Sequence, residues 1–145
     1  MSSKQQVVLI RKTEPVVSYL VDVYRHNEIL LPDVELELTP DDIAGALHAL
    51  LYSVAPVVWG VDQNDGDFRV VAGGKFLYSV IAYVTGDQKY PEDGPIDYLR
   101  GKSFKELPKM AGYRILNQNL NVNRFNKGDE PLFMSLVENA VQLSG

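Results

Sequence analysis

Apolar residues along this chain fall into short blocks whose spacing alternates between two and three or four. VVLIRK, Val7 to Lys12, is β-branched and suits a short strand. In TEPVVSYLVDVYRHN, Thr13 is a candidate N-cap with Pro15 in the first turn, and Val16, Leu20, Val23 and Tyr24 fall on one helical face. EILLPDVELEL ends an apolar run at Pro32 and then alternates Val34, Leu36 and Leu38 with Glu35 and Glu37, as a half-buried extended segment does.

LTPDDIAGALHALLYSV carries the fullest set of helix signals. Thr39 is placed to cap, Pro40 fits the first helical position, and Asp41 and Asp42 suit the positive end of the helix dipole. Ile43, Leu47, Leu50, Leu51 and Val54 then form the core-facing stripe, and Pro56 ends the helix. APVVWGVDQNDGDFRVVAGG reads as a hairpin, with strands Val57 to Val61 and Phe68 to Val71 and a turn built on NDGD. A helix from Lys75 to Val84 buries Phe76, Leu77, Val80, Ile81 and Val84 and stops at Gly86.

The segment GDQKYPEDGPIDYLRG is a polar surface loop with a short helical turn at Ile96 to Leu99. SFKELPKMAGYRIL starts a short helix at Ser103 and stops it near Pro108, with Tyr113 to Leu116 beyond it. QNLNVNRFN reads as a strand that sets Leu120, Val122 and Phe125 against a wet face of asparagines. A last helix starts at Asp129 and presents Phe133, Leu136, Val137, Ala140 and Val141 to the core. This order predicts one α+β domain over residues 1–145, with a small mixed sheet, a hairpin and packed helices.

Composition narrows the chemistry. The chain has no cysteine, which removes disulfides, thiolate nucleophiles and thiolate-bound zinc. Lys and Arg number 14 against 19 Asp and Glu, for a net charge of −5, so a general affinity for nucleic acid phosphates is not expected. With no membrane-length apolar run, the expected location is the cytoplasm.

The candidate chemistry centres on Gly73-Gly74-Lys75, where a strand passes through glycines into a helix. Backbone N–H groups at such a point attract anions, and Lys75 adds a charge, although the Gly-x-x-x-x-Gly-Lys-Ser/Thr phosphate loop is not present. The alternative reading is a plain glycine turn beside a surface lysine. Arg69, Arg100, Arg114 and Arg124, with Lys102, Lys105 and Lys109, either line a basic groove or solvate a face. Asp62, Asp65 and Asp67 read as a hairpin turn in preference to a metal loop, since the bidentate glutamate of a calcium loop is missing. His26 and His48 lack ligand spacing, Ser79 lies inside a helix, and Trp59 reads as sheet packing, so neither a catalytic residue, a metal site nor a cofactor is assigned.

VSYLVDVYRHNEILLPD, APVVWGVDQNDGDFRVVAGGKFLYSVIAYVTG and YLRGKSFKELP, taken in order from about Val7 to Phe125, resemble the N-terminal domain of GmrS-like subunits of GmrSD modification-dependent restriction systems, in the ParB/sulfiredoxin-like superfamily. The resemblance implies a proline and a reactive Gln-Arg pair before the helix that precedes the hairpin, and an Asp-Gly-Gln-Gln-Arg turn after the hairpin. Here Glu35 and Leu36 follow Pro32, and Ala72, Gly73, Gly74, Lys75 and Phe76 occupy the turn. The expectation is a catalytically degenerate member, acting as a binding or regulatory protein, phage-encoded and docked on a host or viral protein. The alternatives are a nucleotide hydrolase or DNA nuclease working at the Gly73-Gly74-Lys75 turn, and a self-associating virion or assembly component. The acidic loop Asp87 to Asp97 is a further docking segment to consider.

Overall fold

The structure is a computed structural model, and it describes residues 8–31, 37–63 and 66–136. Five strands form one mixed sheet: β1 (Ile10–Thr13), β2 (Ile29–Leu30), β3 (Val58–Asp62), β4 (Phe68–Ala72) and β5 (Val122–Phe125), in the order β1-β5-β3-β4-β2. β3 lies at the centre, antiparallel to β4 and parallel to β5, while β1 runs antiparallel to β5 and β2 parallel to β4. The helices are α1 (Val17–Arg25), α2 (Pro40–Leu51), α3 (Gly74–Thr85), α4 (Lys109–Leu116) and α5 (130–136). The fold is α+β.

Alternation along the strands divides the interior into two cores. Val58, Phe68, Val70 and Val122 join α1 to α4 in the main core, where Leu47, Leu77, Val80 and Ile115 are fully enclosed. Val61 and Phe125 point the other way and meet Phe133 of α5, with Trp59 and Val71 beside them. Phe125 stacks on Phe133 at 4.3 Å between ring centroids, and Trp59 lies 5.1 Å from the same ring. β5 therefore has no wet face. Leu120 and Val122 share one side by even spacing, whereas Phe125 is odd and belongs to the other, against the single apolar side read from its sequence.

α2 forms as its sequence dictates. The Thr39 hydroxyl accepts from the Asp42 N–H at 3.2 Å and Asp42 Oδ2 accepts from the Thr39 N–H at 2.9 Å, so aspartate completes a capping box. Ile43, Leu47 and Leu50 are buried, but the helix stops at Leu51 and Ser53 takes a positive φ. Val54 therefore leaves the stripe and is 71% exposed. A second capping box joins Ser103 to Glu106 over the 3-10 turn Phe104–Glu106.

Other boundaries shift for local reasons. β1 begins at Ile10, and Thr13 belongs to it, donating its hydroxyl to the Val122 carbonyl at 2.5 Å in place of capping a helix. Pro15 and Val16 stay extended, α1 starts at Val17, and Val17, Leu20 and Val21 become its buried face, with Val23 and Tyr24 only partly covered. α4 is an eight-residue helix where no helix was expected. Leu136 is half exposed, and the positions Val34, Leu36, Val137, Ala140 and Val141 lie outside the described residues.

Phe133 is the residue through which α5 covers the outer face. Phe133→Ala is expected to cost about 3–5 kcal/mol. It also opens Trp59 to water, so the emission of the single tryptophan moves to longer wavelength in the folded variant. Unchanged emission in a destabilised variant would contradict this packing.

Candidate functional site

The glycine turn lies where α3 leaves β4. Gly73 is the N-cap, at φ 79° and ψ 12°, a left-handed conformation that glycine adopts without strain. A Cβ there would meet the Val57 carbonyl oxygen at 3.0 Å and Val58 Cα at 3.1 Å, so the turn also packs flush on β3. Gly74 is buried. Lys75 points outward, and its Nζ is 3.1 Å from Asp42 Oδ1 on α2.

Beside this turn a groove of about 370 Å³ runs between α2 and α3, edged by Asp41, Asp42, Lys75, Phe76 and Ser79. A carboxylate thus does approach the turn. It is a weak base, because the Thr39 backbone N–H first, and then Lys75, hold the Asp42 carboxyl below its usual value of 3.8. An anion entering the groove would replace Asp42 as the partner of Lys75. Ser79 is not poised as a nucleophile, since its hydroxyl donates to the Lys75 carbonyl at 2.7 Å.

The four arginines do not line one groove. Arg69 lies opposite Val61, and Arg124 opposite Gly60, so the two project from opposite faces of the sheet. Arg69 Nη2 lies 2.6 Å from each carboxylate oxygen of Glu130, fastening α5 to the sheet. Arg124 donates from Nε to Asp62 at 2.7 Å and from Nη2 to the Gly66 carbonyl at 3.2 Å. Arg11 pairs with the second oxygen of Asp62. Arg100 donates to the Gly94 carbonyl at 2.5 Å and pairs with Asp97, and Arg114 sits 5.8 Å from the Tyr98 ring. Asp67 Oδ1 is buried without a hydrogen-bond partner among the described residues, and Asp65 lies outside them. The described residues hold no group of three metal-ligating side chains.

His48 has a structural place that its sequence position did not signal. Its Nε2 is 2.5 Å from the hydroxyl of Tyr90, and that hydroxyl accepts from the Ile96 N–H at 3.2 Å. Burial raises the Tyr90 pKa, which keeps this phenol protonated. The Tyr90 N–H donates to the Lys102 carbonyl and the Gly101 N–H to the Tyr90 carbonyl, so the acidic loop is closed around this ring. His26 Nδ1 contacts the Asp22 carbonyl at 2.8 Å on the surface.

A second groove, of about 260 Å³, separates the turn Phe104–Glu106 from α4. Phe104, Leu107, Tyr113 and Leu116 form its walls, and Lys105 and Lys109 stand at its edge. Gly112 faces the Phe104 ring across the groove, where a Cβ would make only an ordinary contact at 3.5 Å. Lys109 Nζ lies 5.6 Å from the Tyr113 ring centroid, and Met110 on the same helix is 75% exposed. Arg100, Lys102, Lys105, Lys109 and Arg114 face a single acid, Glu106, within residues 100–116 of an otherwise acidic chain. Among the described residues Lys105 pairs with the exposed Asp87, at 3.4 Å, and solvent screens that contact.

No family model, curated protein or solved structure matches this chain. No helix among the described residues is long and apolar enough to cross a membrane.

The two capped carboxylates set an acid limit. Hydrogen bonds from Ser103, backbone first, hold Glu106 below its usual 4.5, as Thr39 and Lys75 hold Asp42 below 3.8. Both folded-state values are depressed, so their stabilisation is present above the unfolded values and is lost as pH falls through the folded ones. Urea midpoints should decline from about pH 5 downward. The double variant Asp42→Asn, Glu106→Gln should start lower at neutral pH and decline less. Parallel declines in the two proteins would count against this origin.

Proposed function

We propose that this chain is a non-catalytic docking domain that binds an acidic segment of another protein in the groove between Phe104–Glu106 and α4. The observation that carries the reading is the combination there of an apolar trough, two edge lysines and exposed Met110 and Tyr113 within the basic stretch of an acidic protein. An aromatic or branched aliphatic side chain fills such a trough, and flanking carboxylates meet Lys105 and Lys109. In this reading the chain is a GmrS-like domain of ParB/sulfiredoxin type that has kept its frame and exchanged its reactive turn for Ala72-Gly73-Gly74-Lys75-Phe76, and its partner is a host or viral protein. Support comes from the turn itself, where backbone geometry accounts for Gly73 and an ion pair engages Lys75.

Asp42 beside the turn is the one feature that favours an enzyme, a nucleotide hydrolase using Lys75 as a phosphate contact. Titration calorimetry with nucleoside triphosphates and magnesium separates the two. The docking reading expects no heat, whereas heat that disappears in Lys75→Ala would carry the hydrolase.

The docking groove is tested by selecting a random peptide display library on the folded protein. Acidic peptides with a central aromatic or aliphatic anchor should be enriched, with affinity that falls as salt rises. Lys105→Glu with Lys109→Glu should weaken them by more than about tenfold, as loss of two charge-assisted contacts implies. Tyr113→Ala should weaken them without changing the salt dependence. Enrichment of basic or uncharged sequences, or full binding by the double variant, would remove this reading.

A further inference from the structure

A cavity of about 470 Å³ lies between α1 and the sheet, away from the docking groove. Val16, Leu20, Phe68 and Val122 form its apolar wall, and Tyr19 and Arg124 bring polar groups to it. Its floor depends on Gly60. A Cβ at that position would fall 2.5 Å from Phe68 Cδ2, so glycine on β3 lets the Phe68 ring lie close against the strand. Its mouth is fixed by the extended Pro15 and Val16, since Val17 donates to the Gln118 carbonyl at 2.9 Å and Leu120 to the Pro15 carbonyl at 2.8 Å.

The Arg124 guanidinium lies 4.5 Å from the Phe68 ring centroid and is held from behind by Asp62 and the Gly66 carbonyl. Its side chain is only 22% exposed. Among the described residues the cavity wall carries one charged residue, Arg124; it shares Asp62 with Arg11, so the three side chains together keep one positive charge, with Asp67 acting on Arg124 from outside the wall. Burial lowers the Arg124 pKa, with Tyr19 and Asp67 opposing it, and an arginine so placed stays cationic.

We infer that this cavity binds a small monocarboxylate with an apolar body. One fixed guanidinium matches one carboxylate, whose charge-assisted hydrogen bonds strengthen away from bulk water. The walls match a short aliphatic or aromatic chain. A dianion such as a phosphate monoester would leave one charge unmatched beside Asp62, which already serves Arg11 and Arg124.

The test uses hexanoate and its neutral counterpart hexanamide, followed by amide resonances of the folded protein. Hexanoate should shift Leu20 and Val122 saturably, and hexanamide should bind about tenfold more weakly, the usual difference for a charge-assisted contact. Because Arg124 also holds the hairpin, Val16→Phe serves as the variant that fills the cavity and keeps the guanidinium. It should abolish the hexanoate shifts while leaving the rest of the spectrum in place. Equal binding of acid and amide, absence of saturable shifts, or full binding by Val16→Phe would each overturn the inference.

Discussion

The strict two-residue alternation of β3 is the constraint on which the molecule depends. Successive residues of this central strand serve different cores: Val58 the helices α1 to α4, Trp59 and Val61 the aromatic cluster under α5. β5 inherits the same division along its whole length and β4 from Gly60 onward, past a bulge that sets Trp59 opposite Ala72: Gly60 lies opposite Val70 and Arg124, Val61 opposite Arg69 and Phe125. A slip by one residue would exchange the two cores and carry Arg69 and Arg124 to the wrong sides. The ion pairs of those arginines, one to Glu130 and one to Asp62, follow from that register.

Much of this arrangement was legible in the chain because local and distant demands agree. Thr39, Pro40 and Asp42 specify the start of α2 whatever packs on it, and the Phe68 strand and Gly73 turn are bounded by residues with few other uses. β5 was harder to read. Leu120, Val122 and Phe125 look like one apolar set until their parity is counted, and only the presence of a helix on the second face gives Phe125 a place. α4 was missed because Pro108 reads as a stop, and because its exposed Met110 and Tyr113 obscure the stripe that its buried Ile115 would announce.

The candidate sites divide along the same line. The glycines at 73 and 74 are visible in sequence as a turn, but Asp42, the partner of Lys75, comes from a helix more than thirty residues earlier and no spacing rule links them. The basic stretch of residues 100–116 is visible as charge, whereas the apolar trough beside it depends on the turn Phe104–Glu106 lying against α4, a tertiary contact. The cavity under α1 has no sequence signature. Its members come from β1, α1, β4 and β5 and the loop before α1, brought together by the sheet order alone.

Tyr90 has a consequence for recognition as well as for folding. Its ring acts as a spool: a Cβ at Gly94 would fall 2.3 Å from Cε1, His48 and Ile96 grip the hydroxyl, and the backbone closes on Lys102 and Gly101. The acidic segment wound on it has therefore given up its conformational freedom before any partner arrives. A protein meeting this surface would find a relief with fixed contours, able to discriminate by shape and unable to mould itself to a poor match.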